Sequence, residues 1–159
     1  MSIEVTSTAF KEGQLIPKKY TGEGADVSPP ISWKGLPEGT REVVLICDDP
    51  DAPTKEPWVH WVIYRIPATV NGLSEGIPRN ARLKQPVGML QGKNSWPKEA
   101  VGYRGPMPPP GDGPHRYFFH VYALRVHLVV ESGLDKKTLW TDMKDHILGE
   151  GRLMGTCER

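Results

Sequence analysis

Residues 47–67 read Cys-Asp-Asp-Pro-Asp-Ala-Pro-Thr-Lys-Glu-Pro-Trp-Val-His-Trp-Val-Ile-Tyr-Arg-Ile-Pro. The stretch joins two apolar runs, Val43 to Ile46 before it and Val59 to Ile66 within it, and both read as strands. Between them, Pro50 and Pro53 fix their own φ and push Asp49 and Ala52 toward extended backbone. The connection is therefore stiff, and its carboxylates are held in place. His60 lies in the return strand between Trp58 and Trp61. A stiff acidic loop beside a strand histidine forms one wall of a small polar pocket. The stretch 102–122 supplies the other.

Outward from this centre the chain is strand-rich. Residues 3–9 alternate and predict a strand, with a short extended piece at Gln14 to Ile16. Pro29-Pro30 excludes a helix or central strand at that point. Leu36 to Gly39 reads as a turn ahead of a strand over 42–48, and a second strand covers 59–66. A short strand is expected over 87–91, then a long proline- and glycine-rich loop over 91–116 of the kind that carries function. Residues 117–130, rich in aromatic and β-branched side chains, predict a long central strand. One helix is expected late: Asp135 caps it, Leu139, Trp140, Met143 and Ile147 share a face, and Gly149 and Gly151 stop it. A last short strand follows over 151–158.

Length and composition agree with this pattern. The 159 residues suffice for one domain, 1–159, with a real core. A net charge of +1 excludes a mainly electrostatic nucleic-acid or membrane surface. No apolar run reaches the roughly 20 residues of a membrane helix, and no signal peptide is evident, so a cytoplasmic location is expected. Two cysteines, Cys47 and Cys157, are too few for a disulfide framework.

Two separated signatures carry a resemblance. Asp49-Pro-Asp-Ala-Pro53 followed by Trp58-x-His60, and Gly105-Pro-x-Pro-Pro followed by Gly113-x-His115-Arg-Tyr117, resemble those of phosphatidylethanolamine-binding proteins, also called the Raf-kinase-inhibitor-like family. Asp26-Val-Ser-Pro-Pro-x-x-Trp33 and Leu153-x-Gly-Thr156 are similar to its prokaryotic branch. Met107 stands where many prokaryotic members have cysteine, and Cys157 where an aromatic is common. The resemblance implies a mainly β fold. A large antiparallel sheet packs on a smaller one, sandwich-like, with one amphipathic helix near the C-terminus and few short peripheral helices. It also implies an anion pocket formed by Asp49, Asp51, Trp58, His60, His115 and Tyr117, with Pro108 and Pro109 at the rim.

The chemistry of those residues gives each a role. Asp49 is expected to accept a hydrogen bond from His60, aiming its other nitrogen at the ligand and raising its pKa. Asp51 is expected to bond backbone N–H groups of its own loop. His115 and the Tyr117 hydroxyl are further donors, and Gly111 and Gly113 allow close backbone approach. Arg116 is expected to brace the loop by pairing with a carboxylate. His120, His127 and His146 read as structural or solvated, and Trp33, Trp96 and Trp140 as core.

The function expected from this set is non-enzymatic: binding of a small anion or phosphorylated head group, coupled to regulation of a protein partner such as a kinase or serine protease. No cofactor or metal is expected. Two alternatives stand beside it. A metal-dependent hydrolase would use the two aspartates and two histidines, although no HExxH or nucleophile elbow is present. A serine protease inhibitor would act through the rigid loop at 106–114, although no clear P1-type residue stands out there. A homodimer is an expected assembly, because two tryptophans in one strand suggest spare apolar surface.

Overall fold

A computed structural model of the chain describes residues 2–85, 88–98 and 100–159. Its centre is β3 (Glu42–Asp49), whose eight residues are all buried. Such a strand needs partners on both edges and cover on both faces. β4 (Trp58–Pro67) pairs antiparallel along one edge and β7 (His115–Leu124) along the other. β6 (Leu90–Gln91) and β8 (Ile147–Cys157) extend the sheet to the order β6-β4-β3-β7-β8. A smaller sheet, β1-β2-β5, comprises β1 (Glu4–Thr6), β2 (Ile31–Lys34) and β5 (Gly72–Leu73). The fold is mainly β and antiparallel, as the sequence indicates.

Two apolar layers cover the two faces of β3. On the inner face, Val43, Leu45 and Cys47 pack with Trp61, Ile63, Tyr117, Phe119 and Val121. Ile3, Val5, Ile31, Trp33 and Leu73 from the small sheet close this layer. On the outer face, Val44 and Ile46 pack with Val62, Tyr64 and Leu124 beneath Leu128, Leu139 and Met143. Each such side chain, taken fully out of water, contributes about 1.5–3 kcal/mol.

Four expectations change. β7 ends at Leu124, and 125–134 leaves the sheet to cover the outer layer; Glu42 anchors the crossing by accepting from the Leu128 N–H at 2.7 Å. The helix α1 (Lys136–Met143) does start at Asp135, which accepts from Thr138 N at 2.8 Å, but it runs only to Met143. A 3-10 turn follows, Ile147 begins β8, and Gly149 and Gly151 lie inside that strand rather than stopping the helix. Third, a strand not expected from the sequence, β2, begins at Ile31 and is the middle strand of the small sheet, while Pro29-Pro30 stay outside any helix or strand as expected. Fourth, β6 covers only 90–91 of the strand expected over 87–91, whose first residue, Val87, lies outside the described residues.

Bulges decide where the polar residues point. The β3–β4 register slips between Cys47 and Asp48, so that Cys47 faces Trp61 while Asp48 faces Val59. His60 is the extra residue. A bulge breaks the two-residue alternation of a strand, and His60 and Trp61 consequently share the inner side. A second slip lies between Val43 and Leu45, where Arg65 takes φ 56°.

Close packing at β8 gives a direct test of the fold. A Cβ on Gly151 would stand 1.9 Å from the Ile3 carbonyl oxygen. This is where Ile3 N donates to Glu150 O at 3.0 Å, tying the N-terminal segment to β8. Gly151→Ala should lower stability by about 1–3 kcal/mol, read as a lower midpoint in urea unfolding; an unchanged midpoint would contradict this packing.

Candidate functional site

At the end of β3 two consecutive carboxylates point to opposite faces. Asp49, on the inner side, is buried and accepts from His115 Nδ1 at 2.8 Å through Oδ2. Its Oδ1 accepts from the N–H of Asp51 at 2.7 Å. Asp48, on the outer side, takes His120 Nε2 at 3.2 Å and Lys136 Nζ at 2.7 Å. Burial raises the Asp48 pKa, but the two partners outweigh it and hold the carboxyl below its ordinary value.

Above Asp49 lies a cleft of about 260 Å³. Its walls are Asp49, Trp58, His60, Trp96, His115 and Tyr117, and its rim is formed by 52–54 and Met107 to Pro109. Seven of the eight site residues read from the sequence meet here. Asp51 does not line the cleft. Its carboxylate turns to β7 and grips Arg116, with Nε and Nη2 each at 2.9 Å and the backbone N–H also at 2.9 Å. This pairing holds the Asp51 pKa below its ordinary value. The roles expected for the two aspartates are thus exchanged in part: Asp49 bonds the loop backbone, and Asp51 reaches across to the next strand. Arg116 braces the loop as expected.

The two histidines also differ from expectation. Asp49 backs His115, not His60. His60 Nδ1 instead meets the Arg104 carbonyl at 2.6 Å. A carbonyl only accepts, so Nδ1 carries the hydrogen, and Nε2 of the neutral ring is an acceptor. Burial lowers the His60 pKa from 6.5, more than the Arg104 carbonyl and nearby aspartates raise it. Trp96 and Tyr117 stand edge-on to the His60 ring, at centroid distances of 5.0 and 5.1 Å.

His115 is the opposite case. Its Nε2 lies 2.5 Å from Asp112 Oδ2. A carboxylate beside each ring nitrogen is matched by the imidazolium form, in which both nitrogens donate. Burial opposes this charge, but the bonds to Asp49 and then Asp112 prevail and raise the pKa above 6.5.

Sequence reasoning missed Asp112, the Arg104 carbonyl and Trp96. Trp96 is half-buried and lines the cleft rather than the core, with the Arg104 guanidinium 4.9 Å from its ring centroid. Trp140 is also not core, being 37% exposed, whereas Trp33 is core as expected. The available signal for Asp112 was its place between two glycines three residues before His115. Gly111 and Gly113 take φ of 78° and 80°, so conformation rather than crowding explains them. Among the described residues no group of three His, Cys, Asp or Glu side chains is placed to hold a metal ion. Nor do the two tryptophans of β4 provide spare apolar surface: Trp61 is fully buried and Trp58 lines the cleft.

The family model for phosphatidylethanolamine-binding protein matches residues 6–158. The chain belongs to this family. It is 46% identical over 151 residues to a UPF0098 protein of Methanothermobacter thermautotrophicus, covering 95% of each chain. The crystal structure of Escherichia coli YbcL, described as a member of the mammalian PEBP family, superposes with a TM-score of 0.90 at 32% identity, covering 100% of this chain and 99% of that one. A phosphatidylethanolamine-binding protein homologue from Chlamydia trachomatis superposes with a TM-score of 0.86 at 38% identity, covering 99% and 98%. This PEBP-family chain has no helix, among the described residues, long and apolar enough to cross a membrane.

The opposed histidine environments yield a prediction. In an NMR titration of ring resonances, His60 should titrate below pH 6.5 and His115 above it. The stability signs follow by linkage. The contribution of His115, with its raised folded-state pKa, is complete below about pH 6.5 and fades as pH rises through the folded value. For His60 the folded pKa is the lower one, so stability falls as pH drops from about 6.5 toward it. Asp49→Asn should move the His115 midpoint down; a midpoint that stays in place would remove Asp49 from its role.

Proposed function

We propose that this chain is a non-enzymatic binding protein for small anions, phosphorylated head groups among them, and that occupancy of the cleft regulates a protein partner. The observation that carries the reading is the setting of His115: its Nδ1 meets buried Asp49 at 2.8 Å, and a carboxylate already stands at Nε2, 2.5 Å away. The cleft's own chemistry thus favours an oxyanion at that nitrogen.

Three further features support it. The Tyr117 hydroxyl belongs to a ring on the same wall, and its pKa is pushed up, chiefly by burial, so it remains a donor. His60 offers an acceptor, which suits a ligand that brings a hydrogen as well as a charge, such as a monoprotonated phosphate. The volume, about 260 Å³, lies just below the usual 300–1,000 Å³ of small-molecule pockets. That size suits a small head group.

The non-enzymatic part rests on the nucleophiles. Cys47 and Cys157 are buried and their thiol pKa values are pushed up, chiefly by burial, so neither is a thiolate at neutral pH. The regulatory part is supported by the stiff proline segment 106–110, of which 107–109 form the rim and Met107, Pro109 and Pro110 are exposed.

Calorimetric titration with inorganic phosphate and phosphoethanolamine tests the proposal. Binding should be saturable and tighter at pH 6 than at pH 8, because His115 loses its charge as pH rises. His115→Gln should weaken it roughly 10- to 100-fold, the value of one charge-assisted hydrogen bond. Absence of saturable heat with either ligand, together with unshifted His60 and His115 ring signals, would refute the anion-binding reading.

A further inference from the structure

Asp112 has an unusual setting for a residue bonded to a buried ring. The His115 side chain is 4% exposed, yet the Asp112 side chain that meets it is 47% exposed. The carboxylate reaches in from solvent rather than from the core. Its backbone is poised for the opposite motion. Gly111 and Gly113, on either side, both hold positive φ, and a Cβ built on either would meet nothing within 4 Å. The loop tip therefore stands in open space, and glycine can leave this conformation without steric penalty.

The ends of the segment are fixed. Arg159 Nε donates to Pro108 O at 2.6 Å, Gly111 N donates to Arg159 O at 3.1 Å, and β7 begins at His115. Asp112 N also donates to Pro109 O at 3.2 Å, so between these anchors it is the Asp112 side chain and 113–114 that can turn. Asp49 holds the other ring nitrogen from the buried side. Asp112 thus occupies the remaining hydrogen-bonding position of His115, a ring that lines the cleft although Asp112 itself does not.

We propose that Asp112 is an internal competitor: its carboxylate occupies the place on His115 that an oxyanion ligand takes, and the ligand binds by displacing it. The inference rests on the anion-binding reading above and adds the residue that sets affinity. A tethered carboxylate competes at the high effective concentration of a short linker. The fraction of molecules with His115 free then scales the apparent affinity directly. One charge-assisted hydrogen bond corresponds to about a 10- to 100-fold reduction. The ligands so controlled are oxyanions of phosphate type, whether free phosphate or the diester of a lipid head group.

The test compares the wild-type chain with Asp112→Ala and Asp112→Asn at pH 7, using inorganic phosphate and glycerophosphoethanolamine as the two probes. Displacement predicts roughly 10- to 100-fold tighter binding of at least one probe by Asp112→Ala, with Asp112→Asn, a neutral and weaker competitor, in between. Tighter binding of phosphate alone identifies a free-phosphate site, and tighter binding of the diester identifies a head-group site. A residue that merely braced the loop would give the reverse, an affinity lowered or unchanged by its removal, and that outcome overturns the proposal while leaving the anion site intact. The gain must persist at 1 M salt, where screening acts within about 3 Å; a gain lost there would be a through-space charge effect and would also overturn displacement. If no form of the protein binds either probe, this proposal and the anion-binding reading fall together.

Discussion

Two adjacent buried carboxylates at the end of a fully buried strand are the constraint on which the site depends. A buried charge is costly unless it is paired and hydrogen-bonded. Because neighbouring strand residues point to opposite faces, Asp48 and Asp49 demand partners on both sides of the same sheet. Lys136 and His120 answer Asp48 outside, and His115 answers Asp49 inside. The helix and the cleft are thereby both referenced to one strand end. The stiff turn that follows, with Asp51 clamped to Arg116, keeps that end from fraying.

The inner pairing also shapes the chemistry. A histidine held between two carboxylates is driven to the charged form, while one buried against a carbonyl and two aromatic rings is driven to the neutral form. Two residues of one type lining a shared cleft thus differ in the protonation state their surroundings favour.

Much of this was legible in the chain. Val43 to Ile46, Val59 to Ile66 and the aromatic run after His115 announced the central strands, and of the eight site residues drawn from the two proline–histidine signatures, seven line the cleft. What stayed hidden has identifiable causes. His60 faces the cleft through a bulge, and a one-residue slip leaves no mark in a run of apolar and aromatic residues. The partner of Asp49 could not be chosen between His60 and His115, because both are non-local and only strand order decides. The end of β7 at Leu124 was masked by the apolar residues after it, which are apolar because they cover the outer layer. Asp112 looked like a turn residue, which it also is: its N–H donates to Pro109 O at 3.2 Å.

The antiparallel pairing of β3 with β7 has a kinetic meaning as well. The Asp49–His115 bond joins residues 66 positions apart, and the intervening chain carries β4, β5, β6 and the long proline-rich loop. Closing so large a loop is entropically slow, and domains dominated by such distant pairings fold in roughly milliseconds to seconds. Until that pairing forms, β7 is an aromatic strand with bare edges, and Asp49 is a solvated carboxylate without its histidine. The cleft is therefore among the last features to mature, because its walls from β4 and β7 come together only once both strands have paired with β3.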